Sequence, residues 1–310
     1  MSDFDKKVTG STSGRLIAGI AIGSGCSLLM AVVLVIVALA APAVMSCGIV
    51  FADDATTDKT TDSPKELSTA GATIRVLSYN IHIGIGNDGK LDLERTAKTI
   101  MEQKPDLVAI QEIDRNTERT RSVVGPEYRY VDQPAELERL TGMHVVFGKT
   151  INLGSGEYGL AIMSKYPITE HKITQLPQLG NREDRGALEA VIKLDDKTSL
   201  TFVCTHFCHQ SEERRTMQAE KINELFAERD GLVIIAGDIN ATPGSKTIET
   251  LKAKWSDATN EEPTFSSDRP RSKIDYIFYR PTEKVSVKET RVIKEPVTSD
   301  HLPVLSVFAL

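Results

Sequence analysis

The sequence has little aromatic material, few cysteines and no surplus of basic charge. Aromatic residues make up 5% of the 310 residues, there are four cysteines, and the formal net charge at pH 7 is −6. So few cysteines exclude a small disulfide scaffold. A mildly acidic chain argues against a histone-like role, because coating a polyanion requires a positive surface. With 26% charged and 40% hydrophobic residues, the composition is that of a globular protein.

The same sequence contains one long run without charge, from Leu16 to Ala52. Residues 28–50 of this run are long enough to cross a bilayer, which takes about 20 apolar residues, so they predict a membrane anchor. The small residues before Asp53 also fit the cleavage site of a secretory signal, and residues 44–47 resemble a lipoprotein motif. Because basic residues precede the run, all three interpretations place the rest of the chain outside the cytoplasm.

Composition divides the chain into three parts. Residues 1–52 form the anchor or signal, residues 53–71 form a polar tether rich in Thr, Asp, Ser and Lys, and residues 72–310 form one domain. The domain is large enough for one extensive core and has no internal repeat.

Apolar patterning in the domain predicts many strands and few helices. One helix is capped by Asp92 and ended by Pro105, one starts near Ser211, and one runs from about Ser245 to Trp255. The first helix would bury Leu93, Ala97, Ile100 and Met101. The predicted strands are Thr73–Ile81, Leu107–Gln111, His144–Phe147, Leu160–Ser164, Ala187–Leu194, Leu200–Thr205, Leu232–Ala236, Ile274–Tyr279 and Val304–Ala309. Without strict strand–helix alternation, the pattern favours sheets packed on each other with helices outside.

Two of the cysteines, Cys204 and Cys208, lie in the domain. On an extended strand they would be about 13 Å apart, too far for a disulfide unless the chain turns after His206. Together with His209 they also resemble a zinc cluster, but the domain has no second Cys/His group to complete one. We therefore expect a strand on which Cys204 alternates with His206.

Polar side chains that are costly to bury cluster at the ends of the predicted strands. They are Asn80, His82, Glu112, His206, Asp238, Asn240, Asp275, Asp300 and His301. A carboxylate placed within or directly after an apolar strand must be paired, hydrogen-bonded or metal-bound. Oxygen ligands with few cysteines favour Mg²⁺ or Mn²⁺ over zinc, and two histidines supply acid–base groups near neutral pH.

Taken in order, these motifs resemble the endonuclease/exonuclease/phosphatase superfamily, which includes pancreatic-type deoxyribonucleases, neutral sphingomyelinases and inositol polyphosphate 5-phosphatases. The resemblance covers residues 74–310. The motifs that carry it are Ser-Tyr-Asn80-Ile-His82, Ala-Ile-Gln-Glu112, Thr-His206, Ala-Gly-Asp238-Ile-Asn240-Ala-Thr-Pro, Ile-Asp275-Tyr-Ile and Ser-Asp300-His301-Leu-Pro. The resemblance implies a four-layer α/β sandwich, in which two packed, mainly antiparallel sheets are flanked by helices.

The resemblance also implies a metal site. Glu112 would be the principal ligand of Mg²⁺ or Mn²⁺, and Asn80 and Asp300 would help to hold the ion. Whether one or two metal ions act stays open at this point.

The implied reaction is in-line hydrolysis of a P–O bond. Asp238 and Asn240 would orient the attacking water and the scissile phosphate. His301 would be the general base, held by Asp275 as in a triad, and His206 would give a proton or a hydrogen bond to the phosphate or leaving group.

The substrate contacts expected from the resemblance are Arg185, Tyr158 and His82. Tyr-Asn-Ile-His82, with the glycines that follow, resembles exported bacterial members and the glycolipid-anchor remodelling branch. This favours a phospholipid, glycolipid or other small phosphodiester as substrate, reached by a monomer tethered to the membrane through its N-terminal segment. Two alternatives remain, a secreted nuclease and a catalytically inactive binding module on the same fold. Arg115, Arg119 and Arg121 would either hold a polyanionic substrate or form a solvated face.

Overall fold

The computed structural model describes residues 73–119, 131–180, 183–280 and 285–310. The predicted anchor, the predicted tether and Arg121 lie outside the described residues. Within the described ranges, no helix combines the length and the apolar character that a membrane-spanning segment needs.

The described residues contain twelve strands in two six-stranded sheets. The strands are β1 (Thr73–Asn80), β2 (Leu107–Arg115), β3 (His144–Leu153), β4 (Gly156–Ser164), β5 (Ile168–Gln175), β6 (Gly186–Lys193), β7 (Ser199–His206), β8 (Val233–Asp238), β9 (Ser256–Asp257), β10 (Asp275–Tyr279), β11 (Ser286–Val292) and β12 (Val304–Ala309). The first sheet has the order β11-β12-β1-β2-β4-β3, and the second has the order β5-β6-β7-β8-β10-β9.

Each sheet has one parallel pair at its centre, β1 with β2 and β7 with β8, and antiparallel pairs elsewhere. Parallel neighbours end at the same edge of a sheet. Asn80 at the end of β1 therefore lies opposite Gln111, and His206 at the end of β7 lies opposite Asp238. The antiparallel strand β10 begins where β8 ends, with Asp275 opposite Asp238. Strand pairing thus gathers the predicted polar ends at one edge of each sheet.

Four α-helices flank the sheets in the described part of the chain. They are α1 (Leu93–Glu102), α2 (Gln133–Thr141), α3 (Glu212–Phe226) and α4 (Lys246–Lys252). Each helix follows a side chain that accepts a backbone N–H of the first turn, which stabilises a helix start by about 1 kcal/mol. The capping residues are Asp92, Asp132, Ser211 and Ser245.

Three of these helices match the predictions, with differences at their ends and faces. The expectation that Met101 is buried was wrong: it is 40% exposed, because it lies at the edge of the apolar face of α1. The helix predicted to reach Trp255 ends at Lys252, and the chain then turns so that the buried indole donates to Asn223 Oδ1 at 2.8 Å. Helix α2 was not predicted.

Three apolar clusters separate the layers. One lies between the sheets and includes Phe202 and Phe308, one lies between the second sheet and helices α3 and α4 around Phe226, and one lies between the first sheet and helix α1 around Ile100. Central strands such as β8 and β12 are therefore buried on both faces, which explains why their sequences are nearly continuous apolar runs. The four-layer α/β sandwich with mainly antiparallel sheets is confirmed.

The two domain cysteines are free thiols. Cys204 lies on β7 between the sheets, with Sγ 3.2 Å from the carbonyl oxygen of Ile110, and Cys208 is buried beyond the end of that strand. Among the described residues, neither belongs to a group of three metal-ligating side chains.

Candidate active site

The polar strand ends meet across the gap between the two sheets, and Asn80 is the residue that connects them. Its Nδ2 donates to Glu112 Oε1 at 3.1 Å and to Asp238 Oδ2 at 3.2 Å. The same nitrogen lies 3.5 Å from His301 Nε2. Four residues that the sequence predicted from four separate motifs therefore form one cluster.

Asn80 is held in place by its surroundings. Its backbone oxygen accepts from Ser299 Oγ at 2.7 Å, and its side-chain Oδ1 accepts from the backbone N–H of His82 at 3.1 Å. The imidazole of His82 is turned to the carbonyl oxygen of Ile85, at 3.1 Å from Nδ1. His82 was predicted as a substrate contact, and that role stays a prediction; in the structure its backbone N–H supports Asn80.

Glu112 leaves the regular path of β2. The pairing of β2 with β4 shifts between Gln111 and Ile113, and Glu112 has a φ of 55°. A left-handed backbone conformation is unfavourable for a residue with a Cβ atom, and such backbone strain is concentrated at functional sites. The bulge brings the half-buried carboxylate of Glu112 to Asn80.

His301 and Asp275 form a buried pair. His301 Nδ1 lies 3.2 Å and 3.0 Å from the two carboxylate oxygens of Asp275, and Thr264 Oγ1 donates to Oδ2 at 2.5 Å. The ring of Phe265 covers the imidazole at a centroid distance of 4.8 Å. Burial on its own lowers the pKa of His301, but the carboxylates of Asp275 and Asp238 outweigh it and raise the pKa to about 10. The imidazole is therefore a stronger base than an ordinary histidine.

Asp238 lies between the two histidines. Its Oδ2 is 3.4 Å from His206 Nε2 and 3.7 Å from His301 Nε2, and its Oδ1 accepts from the backbone N–H of Asn240 at 2.9 Å. Burial raises the pKa of Asp238 to about 7; the charge of His301 opposes this rise and that of Asp275 adds to it. Because interacting groups titrate together, Asp238 and His301 act as one acid–base unit.

Asn240 follows Asp238 in a left-handed conformation, with a φ of 52°. Its Nδ2 donates to the carbonyl oxygen of Phe207 at 3.1 Å, and the backbone N–H of Phe207 donates to the carbonyl oxygen of Asp238 at 2.9 Å. These hydrogen bonds hold the segments that follow β7 and β8 against each other. Asn240 lies beside the cluster with its amide nitrogen already engaged.

His206 contacts an arginine on its far side. Arg185 Nη1 lies 2.8 Å from His206 Nδ1, and only 5% of the Arg185 surface is exposed. Burial and then the guanidinium charge lower the pKa of His206 well below its ordinary value. Arg185 was predicted to face a phosphate, and in the structure it faces His206.

Tyr158 and the arginines after Glu112 lie next to the cluster. Tyr158 is buried, and burial together with the charge of Glu112 raises the pKa of its hydroxyl well above the ordinary value. Arg119 covers its ring at 4.7 Å and pairs with Asp114 at 2.7 Å. Arg115 pairs with Glu157. Both arginines are engaged by carboxylates of the protein itself.

The donor set fits a divalent cation. Glu112, Asp238, Asp275 and Asp300 bring four carboxylates to the site. Among the described residues, Arg185 and His301 bring positive charge to them, whereas Arg119 beside Glu112 is already paired with Asp114. Mg²⁺ and Mn²⁺ bind partly buried carboxylate oxygens whose negative charge is not fully neutralised by the protein. Glu112 and Asp300 are half-buried, so their oxygens are accessible as ligands. Asn80 presents its nitrogen to the carboxylates, and its side-chain oxygen becomes a ligand only when the amide is turned over.

A second grouping of ligand atoms has another explanation. Asp238, Asp275 and His301 offer atoms within 4.8 Å of one another. However, the oxygens of Asp275 already accept from His301 and Thr264. We interpret this grouping as acid–base machinery.

The sequence reasoning missed Thr264, Phe265 and the role of Ser299. Thr264 and Phe265 lie in a loop with no apolar pattern, and the sequence gives no signal for them. Ser299 is part of the Ser-Asp-His motif, and its hydroxyl bond to Asn80 could have been suspected from that position.

Comparison with known proteins identifies the family of the chain. The model of the endonuclease/exonuclease/phosphatase family matches residues 77–301. The chain belongs to this family, whose members are generally phosphoester hydrolases.

Solved structures share the fold. A family protein from Beutenbergia cavernae is 24% identical, with a TM-score of 0.65, and the match covers 77% of this chain and 72% of that one. A mannosyl-6-phosphatase from Bacteroides thetaiotaomicron is 19% identical, with a TM-score of 0.61 and coverage of 76% and 100%. The catalytic domain of human Nocturnin, with a bound sulfate anion, is 18% identical, with a TM-score of 0.56 and coverage of 76% and 94%.

Proposed function

We propose that the chain is a divalent-metal-dependent phosphodiesterase that hydrolyses a phospholipid, a glycolipid or another small phosphodiester outside the cytoplasm. The observation that carries the proposal is the hydrogen bonding of Asn80 to Glu112 and Asp238, beside His301. One residue thereby joins the expected metal carboxylate to the acid–base unit. A binding module without catalytic activity does not require a metal-binding carboxylate to be joined to acid–base residues.

The residues divide into two groups by chemistry. Glu112 and Asp300, with Asn80, would hold the cation, which when bound stabilises negative charge on the phosphate oxygens. On the other side, the Asp238–His301 unit takes the proton of the attacking water, and Asp275 fixes the orientation of the imidazole.

The reaction consumes one water. The water oxygen bonds to phosphorus, and the bond from phosphorus to the ester oxygen breaks. The departing ester oxygen takes up a proton from the solvent, and the Asp238–His301 unit later releases the proton that it took from the water. The products are an alcohol and a phosphomonoester. His206 holds the phosphate by a hydrogen bond from Nε2, the nitrogen that faces Asp238. Groups preorganised around developing charge lower the barrier without reorganisation during the reaction.

The charges beside the site support a small substrate over nucleic acid. Tracking a nucleic-acid backbone needs free basic side chains, and each neutralised phosphate adds to the affinity. Arg115 and Arg119 are each paired with a carboxylate, and the chain as a whole carries −6. The charge-free segment from Leu16 to Ala52 supports export and a membrane location.

The test compares three substrates with the full chain: bis-p-nitrophenyl phosphate, supercoiled plasmid and phospholipid vesicles. Each is assayed with Mg²⁺ and with EDTA. His301→Gln serves as the inactive variant, and His171→Gln, at an exposed position on β5, as the matched control.

We expect metal-dependent turnover of the small ester and of the vesicles, lost in His301→Gln and retained in His171→Gln. Plasmid nicking without vesicle turnover would replace the proposed substrate with nucleic acid. No turnover of any substrate would favour the inactive binding module.

A further inference from the structure

The guanidinium of Arg185 lies between two histidines. Nη1 is 2.8 Å from His206 Nδ1, and Nη2 is 3.4 Å from His209 Nδ1. Glu183 Oε1, at 3.0 Å from Nη1, holds the guanidinium from the solvent side. Arg185 and His206 are each only 5% exposed, so water does not compete for this contact.

This contact decides which nitrogen of His206 carries the proton. A guanidinium has only donors, so a ring nitrogen 2.8 Å away from it must accept. A neutral imidazole that accepts at Nδ1 carries its hydrogen on Nε2. A protonated ring would direct an N–H at a cation.

The opposite side of the ring is consistent with this tautomer. Nε2 of His206 lies 3.4 Å from Asp238 Oδ2, which is an acceptor. The charged or titratable groups that face His206 are Arg185 before β6, His209 after β7, Asp238 on β8 and His301 before β12. Three of these four groups carry or can carry positive charge, and they oppose protonation of His206.

We propose that Arg185 is a positioning residue that fixes His206 as the neutral tautomer protonated on Nε2, with that N–H directed at Asp238 and the substrate phosphate. The catalytic consequence rests on the proposed phosphodiesterase function, whereas the tautomer is a property of the folded chain alone.

The proposal selects one of the two roles predicted for His206. A neutral imidazole held in this way donates a hydrogen bond to the phosphate, and it has no proton to give up as a strong acid. Arg185 then acts through His206 and not by binding the phosphate itself, so its removal alters the chemical step more than substrate affinity.

The first test reads the tautomer without substrate or metal. The full chain is labelled with ¹⁵N-histidine, and long-range ¹H–¹⁵N correlation spectra at pH 7 distinguish the two neutral tautomers from the charged ring. His206 is assigned by the signals that disappear in His206→Gln. We expect the pattern of a neutral ring with its hydrogen on Nε2. A ring protonated on Nδ1, or on both nitrogens, would overturn the proposal whatever the enzyme's activity.

The second test uses variants. Arg185→Met removes the donors and keeps an unbranched side chain, and Arg185→Lys keeps a positive donor. Arg229→Met is the matched control, because that guanidinium is also hydrogen-bonded, to Glu189 at 3.0 Å, and Glu189 lies opposite Val203, three residues before His206 on β7. We expect Arg185→Met to change the His206 spectrum and to lower kcat by about 10- to 100-fold with little change in KM. Arg185→Lys should recover part of the loss.

A rise in KM with kcat unchanged would assign Arg185 to phosphate binding and contradict a positioning role. An unchanged His206 spectrum in Arg185→Met would do the same. If no substrate is found, the proposed function fails while the tautomer measurement still decides the role of Arg185.

Discussion

Asn80 and Asp238 belong to different sheets, and a 3.2 Å hydrogen bond from Asn80 Nδ2 to Asp238 Oδ2 joins them at the site. The bond links strand β1 of the first sheet to strand β8 of the second. The geometry of the site therefore depends on how the two sheets pack on each other.

Replacing Asn80 by aspartate tests this connection with almost no change of shape. Asn80→Asp removes both donors and puts a further negative charge against Glu112 and Asp238. We expect the free energy of unfolding without metal to fall by about 2–4 kcal/mol, because a buried charge loses its partners. Denaturant unfolding at pH 7 measures it. Asn152→Asp, at an exposed position on β3, is the control and should stay within about 0.5 kcal/mol of the parent. Equal effects of the two changes would contradict the role given to Asn80.

The pKa of Asp238 predicts how stability depends on pH. Folding raises this pKa from 3.8 to about 7, mainly through burial, so the folded state holds the proton more tightly than the unfolded chain. The contribution of Asp238 to the free energy of unfolding therefore declines as the pH rises from about 4 to about 7. Asp238→Asn, which keeps an acceptor for the backbone N–H of Asn240, removes this decline.

At pH 7 and without metal, we expect Asp238→Asn to be more stable than the parent by about 1–3 kcal/mol, and nearly inactive. Near pH 3 the two proteins should be equally stable. Chemical denaturation across this pH range provides the measurement. A parent protein that becomes more stable between pH 4 and 7 relative to the variant would contradict the prediction.

The pair of Asp275 with His301 predicts a graded loss of activity. Asp275→Asn removes the charge that holds the imidazole, and we expect kcat to fall by about 10²–10⁴-fold. Thr264→Val removes the hydroxyl that donates to Asp275 Oδ2 and accepts from the backbone N–H groups of Ile274 and Asp275. We expect a loss of about tenfold. Steady-state kinetics with a small phosphodiester gives both values. A larger loss in Thr264→Val than in Asp275→Asn would mean that the loop, and not the carboxylate, positions His301.

Metal binding should stabilise the folded protein through Glu112. At a Mg²⁺ concentration of about 100 times Kd, the gain is about 2.7 kcal/mol for a single site. We expect the Tm of the parent to rise with Mg²⁺ and to return to its metal-free value with EDTA. In Glu112→Gln, we expect the Tm to be almost insensitive to Mg²⁺. Glu170→Gln, on the exposed edge strand β5, should behave like the parent. The same Mg²⁺ response in both variants would exclude Glu112 as a ligand.

The central strands and part of the edge strand β3 could be predicted from the sequence, but the edge strands β5 and β11 could not. β8 and β12 are buried on both faces, so their sequences are nearly continuous apolar runs. β5 and β11 lie at sheet edges with most side chains exposed, and polar residues there leave no alternating pattern. Their absence from the predictions follows from this exposure.

The residue types of the site could also be predicted, but several of their contacts could not. Asp238 and Asp275 stand out because a carboxylate after an apolar strand needs a partner. The contact of Arg185 with His206 depends on the register of β6 against β7, which pairs Ala187 with Thr205. That register is set by packing between layers and is not encoded in any local motif.

The pairing of the first and last described strands has a consequence for the order of assembly. β1 pairs with β12 from Thr73 opposite Ala309 onward, and His301 lies directly before β12. The acid–base unit therefore cannot form until synthesis has passed His301 and β12 has left the ribosome. A nascent chain shorter than this lacks the acid–base unit, so for an enzyme that we propose to be exported, we expect no hydrolysis of cytoplasmic phosphodiesters at that stage of synthesis.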